Sequence, residues 1–163
     1  MTKVALLDAL KQLITDCTKD VNLPCAVQKG DEAATSRAPD VYRMRLPDSS
    51  AAKKIVPYIL IQIVTGRDQQ NEGERAKSTA TARFIFAVYA DNEEDGALHL
   101  LNLMELVRQR LLEQIVVADL FQLDLEEGLE SLVYPDDTAP YYAGEMIGTF
   151  YLPPIHRRVD YEF

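Results

Sequence analysis

The stretch PYILIQIVTG (residues 57–66), followed by RDQQNEGERAKS (67–78) and TATARFIFAVYA (79–90), decides the architecture. Its first segment is β-branched and almost continuously apolar, the pattern of a central strand buried on both faces. Pro57 stands at its start, where a missing N–H is tolerated. The last segment alternates, with Phe84, Phe86 and Val88 on one face and Arg83, Ile85 and Tyr89 on the other. The span between them is too polar for a core. Two strong strands flanking it predict a long hairpin, with residues 67–78 as a loop that is mobile on its own.

Helices frame the hairpin on either side. Upstream, residues 2–20 place Leu6, Leu10, Leu13 and Cys17 at helical spacing, with Leu7 and Ile14 widening the stripe. Asn22 and Pro24 stop that helix, and residues 25–28 are a candidate short strand. Downstream, Asp91 or Asn92 caps a helix whose first turn, residues 93–95, is acidic, as the helix dipole prefers. Ala97, Leu100, Met104, Val107 and Leu111 form its apolar stripe, which should lie across the hairpin's sheet.

Beyond it the sequence predicts one short strand within residues 114–125 and two more at 129–134 and 142–152, joined by the turn PDDTAP (135–140). Gly144 and Gly148 mark a bulge or a close backbone approach in the last strand. Residues 29–50 and 153–163 read as extended arms, although the alternation over 41–46 allows a strand. The expected fold is therefore a single α+β domain, with two helices packed on one face of a mainly antiparallel, mixed β-sheet.

Composition narrows the function. The chain has 163 residues, 47 % of them apolar, enough for one packed core. No apolar run is long enough to span a bilayer, and charges inside the first twenty residues argue against a signal peptide, so an intracellular protein is expected. Its 17 basic and 26 acidic side chains leave a net charge of −9. Proteins that grip a phosphate backbone usually show the opposite balance. Cys17 and Cys25 read as a reduced pair, with one disulfide as the alternative.

The search for chemistry returns nothing. His99 and His156 have no Cys or carboxylate at ligand spacing, and no P-loop, GxSxG or GxGxxG occurs, so no catalytic, metal or cofactor site is expected. Asp136 and Asp137 sit between two prolines and read as turn formers, and residues 124–127 as a solvated acidic loop. Tyr134, Tyr141 and Tyr142 bracket that turn, either as its packing or as interface anchors. Arg67, Asp68, Glu72, Glu74 and Arg75 in the hairpin complete the candidate interface. Segments that cannot bury themselves are often ordered by a neighbouring subunit, which points to a homo-oligomer.

PYILIQIVTG, ARFIFAVY (82–89), DGALHLLNLMELVRQRLLE (95–113) and YPDDTAPYYAGEM (134–146) resemble, in this order, bacteriophage and prophage tail proteins, above all tail terminator or tail completion proteins. The resemblance covers residues 57–154 and carries no catalytic motif. It implies a small α+β subunit, without cofactor, that forms a hexameric ring on the end of the tail tube, ends tube polymerisation and receives the head. Its partners would be the tail tube protein and a head-side connector, in the virion neck and, during assembly, the bacterial cytoplasm. DNA would pass through the lumen without specific binding, and an acidic lumen lined by Glu72, Glu74 or the Asp136–Asp137 pair would repel its phosphates. Two other readings stay open: another neck component such as a stopper or head completion protein, and a non-phage binding module or enzyme, for which the sequence offers no convergent polar site.

Overall fold

The computed structural model describes residues 2–25, 35–48, 55–135, 138–156 and 158. The chain opens with helix α1 (Lys3–Thr18), capped by Thr2, whose Oγ1 accepts a hydrogen bond from the Ala5 N–H at 3.2 Å. Leu6, Leu7, Leu10, Leu13 and Ile14 are buried along one side of it, the stripe expected from their spacing. Two short strands, β1 (Leu23–Pro24) and β2 (Ser36–Arg37), then pair as a separate antiparallel ribbon.

The main sheet is built on the hairpin. β3 (Asp40–Arg43) runs parallel to β4 (Tyr58–Gln69), and β4 pairs antiparallel with β5 (Lys77–Tyr89). Helix α2 (Glu93–Glu113) follows, with the Asn92 side chain accepting from the N–H groups of Glu94 and Asp95 at its N-terminus. β6 (Val116–Val117), β7 (Phe121–Leu123) and β8 (Leu129–Val133) lead to β9 (Tyr141–Leu152), which returns antiparallel along the whole of β5. The far edge of β9 is shared: β7 takes one end and β8 the other, with β6 beyond β7. Only the β3–β4 pair is parallel, so the sheet is mixed but mostly antiparallel.

Both helices pack on one face of this sheet. Ile59 and Ile61 of β4, Phe84 and Phe86 of β5, and Met146 and Phe150 of β9 meet Leu6, Leu10, Leu100, Val107 and Leu111 in a single core. Alternation makes this possible, because residues two apart share a face of a strand. α1 covers the β3–β4 side and α2 the β5–β9 side. The ion pair of Arg43 with Asp8 ties β3 to α1, and Arg37 anchors the start of β3 through Asp40 Oδ2 (2.7 Å) and the Ile55 carbonyl (2.6 Å).

Several expectations need correction. β4 is buried on both faces only at Ile59, Leu60 and Ile61; from Val64 to Asp68 it is exposed. The polar span is not one loop, since β4 runs to Gln69 and β5 starts at Lys77, with Arg67 and Asp68 paired to Thr79 and Ser78. Backbone pairing does not require apolar side chains, so composition hid it. The turn is residues 70–76, where Gly73 takes φ +76° and the Glu74 N–H donates to the Asn71 carbonyl at 3.1 Å. Residues 35–48 are not all a free arm, because β3 belongs to the sheet. The strand placed at 25–28 lies earlier, at Leu23–Pro24, while 26–28 fall outside the described residues. Residues 114–125 hold two strands where one was expected. In α2, Ala97 is exposed, and Gly96 and Leu103 join the buried stripe in its place.

The expected close approaches at glycine are present. A Cβ on Gly144 would meet Met104 Sδ at 2.8 Å and the Leu132 carbonyl at 2.9 Å, so α2 and β8 rest directly on the β9 backbone. Gly96 does the same in reverse: a Cβ there would stand 2.1 Å from Cε2 of Tyr142. Replacing a helical glycine with alanine ordinarily gains roughly 0.5–1 kcal/mol. Here overpacking against the ring outweighs that gain, at about 1–3 kcal/mol. Gly96→Ala is therefore expected to lose about 1 kcal/mol of stability in urea unfolding; a stabilised variant would show that the ring gives way freely.

Candidate interaction surface

The residues singled out in the sequence fall into two groups at opposite ends of the hairpin strands. Arg67 and Asp68 lie on the exposed outer half of β4, and Glu72, Glu74 and Arg75 in the turn beyond it. Tyr134 follows β8, and Tyr141 and Tyr142 open β9. Tyr141 is paired with Tyr89 and Arg67 with Thr79, ten residues apart on β5, so the groups stand about 33 Å from each other. They form no common site. Asp136 and Asp137 lie outside the described residues.

At the hairpin end, Asn71 Nδ2 donates to Glu74 Oε2 at 2.9 Å and Ser78 Oγ to Asp68 Oδ1 at 2.5 Å. Glu74 and Arg75 line an open hollow of about 840 Å³ with Pro154, Ile155 and His156, between the turn and the segment after β9. Ile155 is 85 % exposed there. The hollow combines one acid, one base and one imidazole, all of them exposed.

The tyrosine end is packed more tightly. Tyr89 and Tyr141 pack as tilted rings with centroids 5.6 Å apart, and the Tyr89 hydroxyl donates to Asp91 at 2.7 Å. Tyr142 sits under Gly96 on the helix face, while Tyr134 turns to the other face. There Arg83 donates to Tyr134 Oη at 3.1 Å and forms an ion pair with Glu145. These hydrogen bonds, the one to Tyr134 foremost, push the guanidinium further above its ordinary value. Arg83 and Glu145 were missed as site residues. Part of their signal was available, as Glu145 is the lone charge in β9 and Arg83 the lone charge in the apolar stretch 79–89, with opposite sign; that the two strands are neighbours was not legible. Their strands place them as diagonal neighbours on one face.

Towards the hairpin turn, the sheet face turned away from the helices is polar. Thr81 and Thr149 share a hydrogen bond of 3.0 Å across β5 and β9, and Lys77 Nζ lies 5.1 Å from the Tyr151 ring. With Thr65, Arg67, Asp124 and Glu127 these border a shallow groove of about 210 Å³. Asp124 corrects the reading of residues 124–127 as a solvated loop. It is 3 % exposed, and its Oδ1 accepts from the N–H groups of Glu126 and Glu127, closing the turn into β8. That carboxylate is satisfied by the turn and leaves the groove without a free acid at its floor.

Among the described residues no group of three His, Cys, Asp or Glu side chains could hold a metal ion. Cys17 and Cys25 are free thiols, and burial raises the pKa of Cys17. No described helix is long and apolar enough to cross a membrane. No protein-family model matches this chain, and no curated protein matches it.

The tyrosines do give the fold a pH signature. Burial raises the Tyr58 phenol above its reference value of 10.0, with Tyr134 adding to the shift. As pH rises past that reference value, the unfolded chain releases the Tyr58 proton while the folded chain keeps it. The folded state then binds more protons, so stability falls with rising pH. Tyr58→Phe should flatten this alkaline decline, read as urea midpoints across pH about 9 to 11. An unchanged slope would assign the decline to other groups.

Proposed function

We propose that this chain is a structural phage protein that caps the tail tube as a ring, ends tube polymerisation and forms the head–tail joining interface. The observation that carries the reading is strand β4: its inner half is held in a core closed by two helices, and its outer half, residues 64–68, stands exposed. A fold that keeps one of its long strands partly outside its own core is suited to joining other subunits. The phrases that resemble tail terminators fall on β4, β5, α2 and β9. Its partners are then further copies of itself, six in the ring, the tail tube protein on one side and a head-side connector on the other. The net charge of −9 suits a channel through which DNA passes without sticking. The role is assembly and not catalysis.

Tails produced without this protein test the reading in electron micrographs. Overlong tails are expected, because tube growth would lack its stop. Tails of normal length that fail to join heads would contradict it and favour another neck component.

A further inference from the structure

The outer half of β4 is a strand edge that the described residues do not fill. β3 ends at Arg43, opposite Ile61, and among the described residues β4 has no partner on that side beyond Ile61 except the Gln62 side chain and Ile63 N–H, which reach Met44. Residues 64–68 are all exposed, with Val64 at 46 %. Across the sheet, β8 pairs only with β9 among the described residues, and four of its five residues are exposed. Two of these are Leu132 and Val133, at 51 % and 45 %. Open strand edges bearing apolar side chains invite pairing, and proteins usually blunt or cover them.

We propose that β8 of one copy adds to the outer half of β4 of a second copy, continuing the track of β3 and extending the sheet from subunit to subunit. This rests on the ring reading and names the contact that joins its copies. Length supports it, since the five residues of β8 match the five exposed residues 64–68. Charge supports it too. β8 and its approach expose Glu126, Glu127 and Glu130, whereas the open stretch of β4 is flanked by Arg45 and carries Arg67; its one acid, Asp68, lies on the opposite face of the strand from Arg67, where Ser78 Oγ donates to it. Neither arginine has an ion pair among the described residues.

Facing also agrees. Glu130 is in register with Ile147 and Arg67 with Thr79, both on the sheet face turned away from the helices. A sheet continued across two copies would put the carboxylate and the guanidinium on the same side. The two edges are different surfaces at opposite sides of one sheet, so the contact is heterologous. Each copy gives β8 to one neighbour and accepts it from another, which builds a ring where the rotation closes. Pairing β8 with β8 would set acidic strands side by side, which like charges disfavour.

The full chain, Glu130→Arg, Arg67→Glu and the double variant would be compared by sedimentation velocity over a concentration series. Circular dichroism melts would confirm that each variant folds. The wild type should form one species larger than a dimer, each reversal should weaken association roughly tenfold or more, and the double variant should recover it. Single reversals that leave association intact would overturn this contact while the ring reading stood. A wild type that stops at two copies would show like edges pairing, and one that stays monomeric would show no edge pairing; either overturns the proposal. Tail length then judges the capping role independently.

Discussion

Phe84 and Phe86 of β5 are fully buried, and everything else in the fold is arranged around keeping them so. β5 is hydrogen-bonded on both sides, to β4 and β9, over almost its whole length. Its alternation sends Ala80, Ala82, Phe84, Phe86 and Val88 to one face, and that is the face the two helices cover. Two helices are enough to cover it because α1 takes one side and α2 the other. The small residues Gly144 and Gly96 let α2 sit close to β9, where a methyl group would push it off.

Closing the core on one face has a consequence for what remains. The opposite face keeps threonines, Arg67, Lys77, Arg83 and Glu145 in contact with water, and residues 64–68 at the outer end of β4 stay exposed. The Arg83, Tyr134 and Glu145 contacts stiffen one end of that face, joining the end of β8 to β5 across β9. The hairpin end is held mainly by its own turn. A molecule so built has a rigid end and an accessible one, with two strand edges at opposite sides. Those features suit the repeating unit proposed above, a role that needs no convergent polar groups.

Much of this was legible in the sequence, where side-chain periodicity reports burial. The α1 stripe and the faces of β5 follow directly from spacing, and residue type narrowed the α2 cap to Asp91 or Asn92, of which Asn92 is the one. Elements held by backbone pairing alone were not legible. β4 continues through Arg67 and Asp68 because β5 lies alongside, and nothing in their side chains says so. β6 and β7 are two and three residues long, too short to carry a period. The parallel pairing of β3 with β4 and the contact of Arg83 with Glu145, 62 residues apart, depend on chain topology. Asp124 looked like one of a run of surface acids, and only the turn that it closes explains its burial.

Hydrogen exchange tests the central claim most directly, namely that the core is complete in one subunit while two strand edges wait for a partner. It would be followed residue by residue in the free and the assembled protein. The centre of β5 and the buried side of α2 should be equally protected in both states. Residues 64–68 and the strand Leu129–Val133 should exchange rapidly in the free protein and slow markedly on assembly. Edges already protected in the free chain, or unchanged on assembly, would contradict the account.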